Sequence, residues 1–298
     1  MARSHQLVRH RLAVLALCGI AAAPAQAVEL ADDRGVTVRL EAPAMRIVAL
    51  APHLAEAVFA AGAGGKLVGT VLHSDYPDPV RSIPSVGDAS RIDVERVMRL
   101  RSDLVLAWKS GNQPSDVRRL ERLGHVLFVT EPERLSDVPR LIRSIGVLAG
   151  TATRAEANAA RFEREIAALR ERYAGARPVA VFYEIWHRPL LTINGRHLIS
   201  DVIELCGGAN VFAGASFLTP SVSLEALIAA RPEAIVGGSS DATEGEFVRE
   251  WQRHRIRTLA TAALIHVDPD TMQRASLRLA DGARTLCKAL DRVRTPRR

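Results

Sequence analysis

At 298 residues and 48% hydrophobic content, the chain can bury one large core or two smaller ones. The formal charge of +7 suggests a basic protein, but three of the arginines lie in residues 1–27; the net of +4 without them is too mild to argue for a nucleic-acid binder, and no basic run is interleaved with aromatics. The common catalytic motifs (a G-x-S-x-G elbow, a Walker loop, an H-E-x-x-H pair) are also missing, so no enzyme is expected.

Residues 1–27 read as a secretory signal peptide. Arg3, Arg9 and Arg11 precede an apolar run from Leu12 to Ala23, and Ala25-Gln26-Ala27 supplies a cleavage site after Ala27. The alternative, a membrane anchor, needs roughly 20 apolar residues, and the run is shorter. Cys18 follows Leu17, a poor neighbour for lipoprotein processing. Cleavage removes three of the 40 basic residues and none of the 33 acidic ones, leaving a net +4. A free, exported chain in the periplasm is expected.

"VTVRL", Val36–Leu40, alternates and predicts a short edge strand before the buried-type run Arg46–Leu50. A helix over His53–Ala61 stops at glycines, and a strand follows at Leu67–Gly69. "GAGG", Gly62–Gly65, thus lies at a helix end, where a phosphate cradle would open one. Asp93 is a good N-cap for a helix at Val94–Leu100. Strand Leu104–Trp108, helix Ser115–Leu123 and strand Val126–Thr130 complete the first half. Strands alternating with helices imply an open, mainly parallel sheet with helices on both faces.

From Ser136 to Tyr173 strand signals vanish. Gly150 interrupts this helical stretch, and a continuous helix is expected from Thr153 to Tyr173, ended by Gly175. About 20 residues at 1.5 Å each reach roughly 30 Å, a stiff connector and a poor hinge. Alternation then resumes with strand Val179–Glu184, helix His197–Cys206, helix Leu224–Ala230 capped by Ser223, and strand Ala234–Val236. A helix near Glu244–Arg253, strand Leu264–Val267 and a last helix over Ser276–Val293 follow. The fold class is α/β: two Rossmann-like lobes with mainly parallel sheets over 28–150 and 177–298, joined by a backbone helix over 151–176.

A repeat supports two lobes of similar build. "IDVERVMRLRSDLVLAW" (Ile92–Trp108) and "VSLEALIAARPEAIVGG" (Val222–Gly238) share one pattern at an offset of 130, from Glu95 to Glu225 and from Arg101 to Arg231. That period is too long for a solenoid. Both glutamates fall in the first turn of a helix, where the dipole favours a negative charge. After cleavage, Cys206 and Cys287 alone remain, and an isolated pair in an oxidising compartment reads as a disulfide; two buried free thiols are the alternative.

The chain resembles the periplasmic vitamin B12-binding proteins, within the class of receptors whose lobes are joined by a single backbone helix. The resemblance covers essentially all of the mature chain. It rests on "RIVALAPHLAEAVFAAGAGGKLVG", "SDYP" at Ser74–Pro77, "VERVMRLRSDLVLAWKSGN", "NGRHLISDVIELCGGANVF" and "QRASLR" at Gln273–Arg278. It implies a monomeric receptor that binds cobalamin or a related corrinoid in a cleft between the lobes, with no cofactor of its own, and delivers it to the permease of an ABC importer. It also implies that Glu95 and Glu225 dock into arginine pockets of that permease, and that the rigid helix allows only a small closure.

A corrin presents a large, mostly apolar face with an amide rim, which rings and aliphatics bury and scattered donors meet. Tyr76, Trp108, Trp186 and Phe217 fall in loops or at strand ends, where open α/β sheets bind ligands, and Arg274 is a candidate for the ligand's amides or phosphate. Arg278, one helical turn on, reads as structural. The chain departs from the family where further tryptophans fall on Ala89 and Thr219, and where Leu277 replaces a proline. Haem or ferric-siderophore receptors share the frame and form the runner-up. A zinc or manganese receptor needs three or four converging ligands. His53, His73, His187 and His197 lie in suitable loops, but a completing carboxylate is not evident, and His53 reads as a cap of its helix.

Overall fold

The computed structural model describes residues 27–238, 244–253 and 261–295. Apart from Ala27, the signal peptide expected at 1–27 lies outside the described residues. The chain opens with β1 (Val28–Ala31) and β2 (Thr37–Leu40), paired antiparallel from Val28 opposite Leu40 to Ala31 opposite Thr37. Asp32 builds the turn, its Oδ1 accepting from the backbone N–H groups of Arg34 and Val36. The strand predicted at Val36–Leu40 is therefore half of a separate hairpin and no edge of the main sheet. Its partner is the equally short run just before it.

The first lobe runs β3 (Ile47–Ala49), α1 (Pro52–Ala60), β4 (Leu67–Gly69), the small pair β5 (Gly87–Asp88) and β6 (Arg91–Ile92), α2 (Val94–Arg99), β7 (Leu104–Trp108), α3 (Pro114–Arg122) and β8 (Leu127–Thr130). Its sheet is parallel, in the order β4-β3-β7-β8. Two helices follow: α4 (Asp137–Leu148), packed against α1 and β1 of the first lobe, and α5 (Ala152–Tyr173), which leads into the second half. The second lobe runs β9 (Val179–Glu184), α6 (Leu198–Leu205), β10 (Gly208–Asn210), α7 (Leu224–Ala230), β11 (Ala234–Gly237), α8 (Glu244–Arg253), β12 (Ala263–His266), α9 (Pro269–Met272) and α10 (Leu279–Arg294). Its sheet, β10-β9-β11-β12, is parallel too. Counted along the chain, both sheets read second, first, third, fourth. The lobes have one topology.

The repeat carries this likeness down to the backbone. α2 leads into β7 and α7 into β11, the third strand of each sheet. Asp93 accepts from Arg96 N–H and Ser223 from Ala226 N–H as N-caps. Arg101 and Arg231 both take the left-handed conformation, at φ 46° and 50°, to turn from helix to strand. Two residues later Asp103 accepts the N–H groups of Met45 and Arg46 while Glu233 accepts that of Ala180. Each acid ties the third strand to the start of the first.

Strand alternation decides which core each residue joins. Ile47, Ala49, Leu104, Leu106 and Phe128 point to one face of the first sheet, and Val48, Val105, Ala107 and Val129 to the other. In the second sheet Val181, Tyr183 and Val236 face the shared core, while Phe182 and Ile235 turn to a smaller cluster around Trp251. The shared core runs through α5, where Phe162, Ile166 and Tyr173 join the two lobes without a break. Gly146 lets α4 close on α5, because a Cβ there would sit 2.3 Å from Ala155 Cβ. A connector packed along its length in this way resists bending. Cys206, at the end of α6, and Cys287, on α10, form a disulfide with both residues fully buried.

Candidate functional site

In each sheet the chain leaves its first and third strands toward opposite faces, and the crevice between those strand ends is where open α/β sheets hold ligands. The relevant ends are Ala49 and Trp108 in one lobe and Glu184 and Gly237 in the other. A cleft of about 260 Å³ lies there, walled by His53, Trp108 and Glu131 from the first lobe and by Ile185, His197 and Leu218 from the second.

Trp108 is held on every side. Its ring meets that of His53 edge-on, centroids 5.1 Å apart, and its indole N–H donates to Glu131 Oε1 at 3.3 Å. Its backbone N–H donates to Asn112 Oδ1 at 2.7 Å, and Asn112 Nδ2 donates to the carbonyls of Leu50 and Ala89, each at 2.8 Å. One buried amide thus ties together the ends of two strands and the loop at Ala89. Gly111 makes room for the indole, since a Cβ there would fall 1.8 Å from the ring. Asn112 is a positioning residue that the sequence reading quoted in a motif but assigned no role.

His53 does not cap its helix. Ala51 is the N-cap of α1, without a side-chain hydrogen bond. The imidazole turns inward beneath Trp108, with Nε2 buried and without a hydrogen-bond partner. His197 does cap, its Nδ1 accepting from Ile199 N–H at the start of α6. Burial pushes both rings down to about 4, helped at His53 by the nearby Arg274 charge. Both are neutral at pH 7.

Well above pH 6.5 neither the folded nor the unfolded form of each ring binds a proton, and the full stability is present. Between 6.5 and 4 only the unfolded form is protonated, so stability falls as pH falls. Urea titrations are expected to show a loss of up to about 3 kcal/mol per ring by pH 4. His197→Asn keeps a capping acceptor and cannot titrate in this window, so it should flatten its share of the slope. Equal stability of the wild type at pH 6.5 and 4.5 would contradict the assignment.

Arg274 is already committed. Its guanidinium pairs with Glu56 at 2.9 Å, Asp75 at 2.7 Å and Asp270 at 2.7 Å, and donates to the His73 carbonyl at 3.2 Å. Glu56 is buried on α1 and also takes Arg278 at 3.4 Å. Since Glu56 and Asp75 belong to the first lobe and Arg274 and Arg278 to the second, this layer is an ionic tie between lobes. It separates the cleft, which Gln273 and Ala275 line, from a rear cavity of about 500 Å³ lined by Glu56 and Tyr76. The Tyr76 ring lies there under Arg278, 4.5 Å from the guanidinium carbon.

The structure therefore brings together only part of the expected set. Trp108 lines the cleft; Tyr76 and Arg274 belong to the layer behind it. Trp186 lines an adjoining chamber. Phe217 is exposed beside Leu218 and Thr219, which do line the cleft. Ala89 contributes its carbonyl to Asn112. Glu95 and Glu225 stand exposed on the first turns of α2 and α7, Glu95 paired with Arg119 at 2.9 Å. Among the described residues no group of three or more His, Cys, Asp or Glu is arranged to hold a metal. Glu56 had one sequence signal, a lone carboxylate inside the apolar helix "LAEAVFAA", since such a charge is buried only with a partner.

The periplasmic binding protein family model matches residues 47–263. The vitamin B12-binding protein of Yersinia pseudotuberculosis is 30% identical over 286 residues, covering 96% of this chain and 95% of the relative. That of Vibrio cholerae is 29% identical over 248 residues, 83% of this chain and 90% of the relative. Among solved structures, the periplasmic vitamin B12 binding protein of Vibrio cholerae superposes with a TM-score of 0.78 at 29% identity, over 85% of this chain and 99% of that one. A periplasmic heme-binding protein of Roseiflexus sp. RS-1 shares the fold, with a TM-score of 0.73 at 24% identity over 84% and 99% of the two chains. The twin parallel lobes, the cleft at their strand ends and a family match that runs from β3 to the start of β12 agree: the chain belongs to the periplasmic binding protein family, within which it is similar to the vitamin B12-binding proteins.

Proposed function

We propose that this chain is a monomeric periplasmic receptor, exported by a signal peptide cleaved after Ala27, that captures cobalamin or a related corrinoid between its lobes and delivers it to an ABC permease. No bond in the ligand is made or broken, and the protein carries no cofactor of its own. Lobes over 28–150 and 177–298, joined by 151–176, are the working units. Trp108 forms a wall of the cleft, Phe217 its rim, and Trp186 an extension to one side. Tyr76 and Arg274 reach a ligand only by giving up partners they already hold.

One observation carries the choice of ligand. The cleft has a fixed indole and apolar side chains, but its charged lining is Glu131, Glu133 and Arg196. Both cleft histidines are neutral, and the nearby Arg274 is cancelled by three carboxylates. Such a surface suits a ring rimmed with neutral amides. The two propionates of haem would meet two carboxylates, and like charges brought together disfavour binding. The haem reading has one observation of its own, the unpartnered His53 Nε2 near the cleft.

Titration calorimetry with cyanocobalamin and with haemin, followed also in the visible spectrum, separates the two. Micromolar or tighter binding of cyanocobalamin, with haemin at least about tenfold weaker, is expected. Tight haemin binding with none of the corrinoid would sink the proposal.

A further inference from the structure

A cobalamin is two ligands in one: a corrin rimmed with amides, and a nucleotide tail with a phosphodiester, a ribose and a benzimidazole. The following rests on the corrinoid reading above. The cleft, at about 260 Å³ and with more acid than base on its walls, suits part of the ring and repels the tail's phosphate. Arg274 is not free to receive that phosphate.

Beside the cleft lies a larger chamber of about 590 Å³, between the loop that follows β9 and helix α8, with Ile185 as the wall common to both. Its composition is different. The Trp186 indole is 59% exposed, and its N–H donates to the Arg188 carbonyl at 2.8 Å, which fixes the ring while leaving a face open. Arg188, Arg249 and Arg253 line the same chamber, against Glu246 and Glu250. Glu250 pairs with both Arg188 and Arg253 and anchors their guanidinium groups, whose side chains stay 77% and 72% exposed. Arg249 is exposed and has no ion-pair partner among the described residues. The remaining carboxylate, Glu184, is buried and turned to Trp251 Nε1 at 2.6 Å and His187 Nδ1 at 3.2 Å. Among the described residues, cations therefore outnumber the acids exposed in the chamber, and an open aromatic face stands beside them.

We propose that this chamber is the subsite for the nucleotide tail, with the benzimidazole against the Trp186 indole and the phosphodiester facing Arg188 and Arg249. Guanidinium groups bind phosphate oxygens with paired, charge-assisted hydrogen bonds, and an offset aromatic stack fixes the base. The tail then supplies specificity that the cleft alone lacks, because a corrinoid without it leaves the arginines unmatched. Ligands sharing the corrin ring would be sorted by what hangs beneath it.

The test compares cyanocobalamin with cobinamide, the same ring without the nucleotide tail, by calorimetry on the full mature protein. Wild type should prefer cyanocobalamin by about tenfold or more. The variants Arg188→Ala/Arg249→Ala and Trp186→Ala should weaken cyanocobalamin by about tenfold and leave cobinamide within about twofold, so that the preference disappears. Arg249→Ala alone, at an exposed position, guards against loss of fold and should give a partial effect in the same direction. Equal weakening of both corrinoids, or no change in either, would overturn the subsite while leaving the corrinoid reading intact. A wild-type protein that binds neither corrinoid would overturn that reading itself, and the subsite with it.

Discussion

The double variant Cys206→Ala/Cys287→Ala should melt well below the wild type, by roughly 10 °C, and lose about 4 kcal/mol of stability. The disulfide spans 81 residues of sequence, from the end of α6 to the middle of α10. Chain entropy for a loop of that length gives about 4.5 kcal/mol as an upper value, because the uncrosslinked chain gains that freedom when it unfolds. Alanine is the better replacement here, since both sulfurs sit in a fully buried site and serine would add an unsatisfied hydroxyl. Both cysteines belong to the second lobe, so the loss should be local in origin. Amides of β9 and β11 should lose protection from hydrogen exchange more than those of β3 and β7. A melting temperature within about 1 °C of wild type would show that the bond adds nothing to the fold.

How much of this was readable beforehand depended on how local the cause was. Strands β4, β7 and β9 were legible to the residue because each is a short apolar run between polar or glycine punctuation. The caps at Asp93 and Ser223 were legible because a cap is decided within four residues. β10 was not, since "GAN" carries no apolar run and is a strand only because the backbone of β9 lies alongside it. The hairpin β1–β2 was half legible, its second strand seen and its first missed.

At the site the same rule holds more sharply. That Trp108 ends a strand follows from sequence, but its fixed ring depends on Asn112, Gly111 and His53. Arg274 reads as a ligand donor until Glu56, 218 residues away, is seen to hold it. Tyr76 reads as a wall until Arg278 is found on its face. A lone acid in an apolar helix signals that Glu56 needs a partner, but which charges folding brings to it has no local signature, and those pairings decided which candidates remain open to a ligand.

The other large effect concerns hand-over. Glu95→Ala/Glu225→Ala is expected to abolish ligand uptake by cells while leaving the affinity of the purified receptor unchanged. Both carboxylates project from first turns of α2 and α7, helices in equivalent places of two lobes with the same topology. Neither residue lines the cleft or the chamber beside it, so ligand binding has no reason to respond. In the docking proposed for these glutamates, Glu95 would leave Arg119 for an arginine of the permease; an exposed pair of that kind contributes only about 0–1 kcal/mol, so the exchange would be nearly neutral. Glu225 is held by its own backbone N–H and by Ser223, contacts that lower its pKa and keep it charged as the periplasm acidifies. Across a formed interface, close charge pairs couple by about 1.5–7 kcal/mol, so losing one from each lobe should slow encounter and misalign the receptor on its partner. The single variants should be intermediate, because each leaves one lobe anchored. Exchanging the charges, with Glu95→Lys/Glu225→Lys, should be no better than alanine, least of all at low salt, where repulsion is least screened. Normal uptake by the double alanine variant would remove these glutamates from docking and return them to their simpler role at the helix dipole.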